Sequence, residues 1–294
     1  VDTHVHLTID PSRTDLSATT NSDLAVLAAA NARTTLMSGV TTVRDLQSAN
    51  AEAIFAVRDA VATGMLAGPT IIAAGESVSA TGGHGDRRML RTDIAELLQT
   101  DSICDGADDC TRAVRAQYRK GADVIKVHAT GGGADSNGKQ YSVPEMTDAE
   151  LRAVVETAHA LGLKVAAHAH GTEGIRSALR AGVDSVEHAS WVDKDIISLF
   201  LSTGAALVRT AYLQDYFLSR ENIPEELQES RRDRNELMDP GMLEAITSGV
   251  MIVMGSDAGI MPHGLSAREV VKYVGLGMSP MQAIETATIN AAVL

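Results

Sequence analysis

The chain is short of basic residues, of cysteine and of long apolar runs. Its 25 lysines and arginines stand against 38 aspartates and glutamates, a net charge of −13. Nucleic-acid binders ordinarily carry a basic face, so that class is set aside. No apolar stretch approaches the ~20 residues that a membrane helix needs. No G-x-G-x-x-G follows an early strand pattern, which counts against a doubly wound dinucleotide-binding sheet. Neither a low-complexity tract nor an interior linker divides the 294 residues. No targeting signal is visible, and the chain starts on a strand pattern without Met, so the compartment stays open, cytoplasmic or exported. The two cysteines, Cys104 and Cys110 in "SICDGADDC", are read either as free thiols or as a small disulfide-closed loop suited to an oxidising compartment.

What is present is an alternation. Short apolar runs ("VDTHVHLT", "VTTVRDL", "TIIAAGESV", "DVIKVHATG", "KVAAHAHG", "DSVEHASW", "AALVRTAY", "VMIVMGSDAG") are separated by helical patterns. One of these, "TDAELRAVVETAHALG", opens on Thr147 as cap with Glu150 at the third helical position and closes at Gly162. Gly39, Gly121, Gly162 and Gly182 each end a helical pattern immediately before a strand. Eight strands in such alternation predict an α/β protein, a (β/α)₈ TIM barrel, spanning 1–294 as one catalytic domain. Loop insertions are expected at about 80–107 and 212–240, the second as a helical insertion or lid.

In a barrel, chemistry gathers where strands end. His4 and His6 belong to the first strand and alternate onto one face. Lys126 lies in the fourth, His168 and His170 in the fifth, His188 in the sixth and Asp257 in the eighth. Seven of the nine histidines (4, 6, 84, 128, 168, 170 and 188) fall in or just after strand patterns. A lone strand histidine is ordinarily a hydrogen-bonded core residue; the joint pattern points to metal ligands. Lys126 among apolar neighbours is favoured as the neutral amine. That form reacts with CO₂ to give a carbamate, whose two oxygens can bridge two cations.

"DTHVH", "IKV" with Lys126, "AHAHG", "EHAS" and "GSDAG" together resemble the amidohydrolase superfamily. "GVTTVRDL", "TGGHG", "ADVIKVHATGGG" and "AGVDSVEHAS" resemble its branch of Xaa-Pro dipeptidases, imidazolonepropionase-like hydrolases and ochratoxin-type amidases. The resemblance implies two divalent ions, usually Zn²⁺. His4, His6 and Asp257 would hold the more buried ion, His168 and His188 the other, with carboxylated Lys126 and a hydroxide bridging them. The chain would then be the catalytic core, with the family's flanking β-sandwich segments absent from it.

On this reading Asp257 is both ligand and proton carrier, and a bridging hydroxide attacks the amide bond of a dipeptide or N-acyl amino acid. His84 and His170 are left for substrate, His170 for a terminal carboxylate. His128 shares a face with Lys126, where the branch is expected to carry an apolar residue, and is a further substrate candidate. Tyr141, Arg209, Tyr212 and His263, near strand ends, are others. The partners expected are a small-molecule or dipeptide substrate and further copies of the chain as a homo-oligomer, without nucleic acid or membrane. A lactonase or cyclic-amide hydrolase fits the same ligands. A mononuclear deaminase would be expected to lack Lys126, and a retired scaffold to have lost ligands. Manganese or cobalt would suit the same donors.

Overall fold

The computed structural model describes residues 1–12, 19–87, 90–132, 143–220 and 225–294; at 226–228, 230, 231, 233–235 and 237 it describes the backbone only. Seven strands are regular: β1 (Asp2–Val5), β2 (Thr42–Asp45), β3 (Thr70–Ala73), β4 (Val124–His128), β5 (Lys164–Ala169), β6 (Ser185–His188) and β7 (Ala206–Val208). All pair in parallel, β1–β2–β3 in one run and β4–β5–β6–β7 in another. Bridges close the ring. Val78, beyond β3, pairs with Val127; Ile252 pairs with Leu207; Ala258 pairs with Val5.

The eighth strand pattern forms no regular strand. Its ladder to β1 is irregular: Thr3 donates to Met254, Asp257 to His4 and His6 to Ala258. Two local features break it. Gly255 lies against His4, where an added Cβ would meet the His4 Cβ at 2.7 Å, and Asp257 takes a left-handed backbone, φ +60°.

The helices alternate with the strands: α1 (Asn21–Met37), α2 (Ala51–Ala62), α3 (Thr92–Leu97), α4 (Ala107–Lys120), α5 (Asp148–Ala160), α6 (Thr172–Ala181), α7 (Lys194–Thr203), α8 (Tyr212–Ser219), α9 (Glu225–Thr247), α10 (Ala267–Gly275) and α11 (Pro280–Thr286). Thr147 and Glu150 form the capping box of α5, and Gly121 and Gly182 cap α4 and α6 in the left-handed region. Between helices and strands lies one continuous apolar core, rich in Val and Ala, to which Phe200 and Tyr273 add the bulk. Cys104 and Cys110 are joined as a disulfide at the start of α4. The insertion expected as helical at about 212–240 contains α8 and most of α9, which runs on to Thr247. Pro240 removes one donor from that helix, but the helix continues through it, with Met238, Met242 and Ala245 buried on either side.

Candidate metal centre

The inside of the ring is unusually polar near its mouth. Arg44, on β2, is 2% exposed and donates to the Thr3 carbonyl (2.7 Å), Ser185 Oγ (3.2 Å) and Glu187 Oε1 (2.9 Å). Glu187 in turn accepts from His4 Nδ1 at 2.8 Å. Burial would raise the Glu187 carboxyl, but Arg44 and His4 draw it down to about 2. A permanent anion therefore fixes which nitrogen of His4 carries the proton.

His6, just past β1, places Nδ1 3.0 Å from the Gln47 carbonyl, which can only accept. In the neutral form both rings thus carry the proton on Nδ1 and direct an Nε2 lone pair inward. Those two nitrogens stand 3.6 Å (His4) and 3.2 Å (His6) from Asp257 Oδ1. Neither His4 Nε2 nor Asp257 Oδ1 makes a hydrogen bond among the described residues. Two imidazole lone pairs and a carboxylate oxygen lie within 4.8 Å of one another and out of solvent. Without a cation between them these groups repel, and buried polar atoms are otherwise nearly always paired. Nitrogen and oxygen donors so gathered fit a divalent ion of the zinc class.

A second group adjoins it. His168, His170 and His188 each bring a ring nitrogen within 4.8 Å of the other two, and the His4 and His188 ring centroids are 5.0 Å apart. Each ring is held from outside: His168 Nε2 by the Gly131 carbonyl (3.2 Å), His170 Nδ1 by Ser190 Oγ (2.7 Å) and His188 Nδ1 by Thr210 Oγ1 (2.9 Å). Lys126, 1% exposed, points into the same barrel; burial lowers its ammonium to about 8, against the pull of Glu187 and Asp257. His84 and His128 gather with His168 in a third group.

An amidohydrolase family model matches residues 1–294, the whole chain. The chain belongs to that family. A curated ochratoxinase of Aspergillus niger is 34% identical over 275 residues, covering 87% of this chain and 55% of the relative. The chain thus spans about half the length of the curated relatives it matches. An uncharacterised protein of Mycobacterium tuberculosis is 31% identical over 158 residues, half of this chain and 41% of that one. Among solved structures, a Xaa-Pro dipeptidase with methionine in its active site superposes with a TM-score of 0.87 at 33% identity, covering 99% of this chain and 73% of that one. The A. niger ochratoxinase structure gives 0.87 at 31% identity, covering 99% and 70%. The (β/α)₈ architecture of this amidohydrolase is that of these neighbours.

The remaining candidates are placed differently. A cavity of about 450 Å³ opens beside the centre, lined by polar Gln47, Ser77 and His84 and by apolar Ile9, Leu24 and Ile103 among others. Arg209 is 4% exposed and donates to the His188 carbonyl at 3.3 Å, behind the histidines. His263 has its two nitrogens at Thr35 Oγ1 (3.1 Å) and the His6 carbonyl (3.3 Å), bracing α1 against β1. Tyr212 begins α8, its backbone N–H donating to Glu269 at 2.7 Å. Tyr141 lies outside the described residues. Sequence reasoning passed over Arg44 and Glu187, which orient His4. The signal was available: each is a charge inside a strand pattern, the feature that drew attention to Lys126.

Proposed function

We propose that this amidohydrolase is a binuclear metal-dependent hydrolase cleaving the amide bond of a small substrate with a terminal carboxylate, a dipeptide or an N-acyl amino acid. The observation that carries the reading is the close meeting of His4 Nε2, His6 Nε2 and Asp257 Oδ1, in which His4 Nε2 and Asp257 Oδ1 make no hydrogen bond among the described residues. These three would hold the deeper ion, and His168 and His188 the other. Lys126 sits within the field of Asp257, and its lowered pKa supplies the neutral amine. That amine would add CO₂ at Nζ and lose one proton to water, giving a carbamate whose anionic oxygens would help to hold both ions.

When bound, the ions supply Lewis acidity, which lowers the pKa of a shared water and polarises a carbonyl. The chain does the rest. Although burial raises it, positive charge at His4, His6 and Lys126 draws the Asp257 carboxyl far below the usual carboxylate range, a pull that a cation held between the neutral rings would take over. Asp257 is thereby ready to take the proton of the attacking water and release it to the departing amine nitrogen. His170, stacked on His188 at 4.7 Å, would receive the substrate carboxylate. The adjoining cavity, with apolar Ile9, Leu24 and Ile103, takes the side chain next to the scissile bond. The names of the Xaa-Pro dipeptidase and ochratoxinase neighbours support amides of this kind.

The test combines metal counting with turnover. Zinc-loaded protein should hydrolyse Xaa-Pro dipeptides or aromatic N-acyl amino acids, and Asp257→Asn and Lys126→Ala should each lose at least a hundredfold in kcat/KM. Undiminished turnover in either variant, or no bound metal in protein purified without chelator, overturns the reading.

A further inference from the structure

On the β3–β4 side of the mouth, the third histidine group shares His168 with the hydrolysis just described, which gives His84 and His128 no role as ligands. His84, His128 and His168 bring ring nitrogens within 4.8 Å of one another, with ring centroids separated by 4.9 Å (His84–His128), 4.6 Å (His84–His168) and 5.1 Å (His128–His168). His128 is 1% exposed. Its Nε2 is 3.0 Å from Ser77 Oγ, while its Nδ1 is buried with no hydrogen-bond partner among the described residues. A buried nitrogen left bare at a β4 position that an apolar side chain would fill asks for a ligand. The backbone around it is built close. A Cβ on Gly132 would overlap the His84 ring, and one on Gly85 would come within 3.0 Å of His128 Cδ2. Glycine at both positions lets the two rings approach each other.

We propose that His84 and His128 form an accessory site for a divalent cation of the zinc class, with His168 as its third ligand. The proposal rests on the reading of His168 as a ligand of the catalytic pair. Because the Gly131 carbonyl holds His168 Nε2, the ring has one nitrogen to give and serves one ion at a time. The accessory ion therefore competes for His168 with the ion that His188 would share. It also fills last: three neutral imidazoles provide no negative charge, whereas the His4–His6–Asp257 group includes a carboxylate. Zinc beyond the amount needed for turnover should accordingly inhibit, by drawing His168 off the catalytic pair.

Zinc binding is measured by competition with a chromophoric chelator in the full chain, in His128→Leu, and in His84→Gln, a change at a half-buried loop position that keeps the experiment readable should the core variant fold poorly. The intact chain should bind one more zinc than either variant. Cobalt titration should lose the visible band of the last equivalent in both variants, and the zinc concentration giving half inhibition should rise at least tenfold. Equal zinc stoichiometry in all three proteins, or an unchanged inhibition curve, overturns the proposal. The two readings fail separately. An extra weak zinc in a protein without amide hydrolysis sinks the catalytic reading alone, and hydrolysis with equal stoichiometry sinks the accessory site alone.

Discussion

His188 and Asp257 hold their side chains from left-handed backbone, φ +70° and +60°, as does Thr210 at φ +50°. Asp and His enter this region more readily than most residues, but a β-branched Thr there is strained. Its hydroxyl explains the position, meeting His188 Nδ1 at 2.9 Å. Thr210→Val keeps the shape and removes that partner, so affinity for the ion at His168 and His188 should fall about 10–100-fold. A chelator-competition titration that leaves affinity unchanged would count against the assignment. At this scale the sequence was readable where one residue type recurred at strand ends, as with His4, His6, His168 and His188. It was less readable where meaning depended on distant pairing. Arg44 and Glu187 are 143 positions apart and become intelligible only once β2 and β6 face each other across the barrel.

Among the elements, α8 lacks a side-chain cap of its own. The cap is lent by α10: Glu269 accepts from the Ala211 and Tyr212 N–H groups at 2.6 and 2.7 Å. Burial pushes Glu269 up to about 7 in spite of those bonds. Since the folded pKa lies above the unfolded value near 4.5, the folded state holds the extra proton between those values. Stability should therefore decline as pH rises from about 5 to 7, by on the order of 3 kcal/mol. Denaturant titrations of the intact chain and Glu269→Gln across pH 5–8 test this: the variant should lose the slope, and a slope retained in full would refute it. Helix ends were legible because Gly39, Gly121, Gly162 and Gly182 all take positive φ, and only a residue without Cβ does so freely. The eighth strand was harder. Its apolar run is genuine, but Gly255 and the turn at Asp257 interrupt a ladder that hydropathy alone cannot reveal.

For the molecule as a whole, the His4–His6–Asp257 group sits on the seam where the last strand segment meets the first. An ion there ties residues some 250 positions apart and does not bind the unfolded chain in that arrangement. At an ion concentration a thousandfold above Kd the linkage is worth about 4 kcal/mol. Chelation should lower Tm by several degrees, with recovery on adding zinc, and Asp257→Asn should show little response to either treatment. A chelator-insensitive Tm in the intact chain would mean that the seam holds no ion. The acidic surface, net charge −13, further favours the approach of cations to this mouth.

Each histidine of the two groups at the mouth rests one ring nitrogen on a fixed oxygen: a carboxylate at His4, carbonyls at His6 and His168, hydroxyls at His170 and His188. The cradle is shaped before its cargo arrives. Loading then demands little rearrangement of the chain, and the choice among zinc, manganese and cobalt falls to supply and to the ease with which each ion sheds its hydration water. A barrel built this way would keep its form as one ion replaced another.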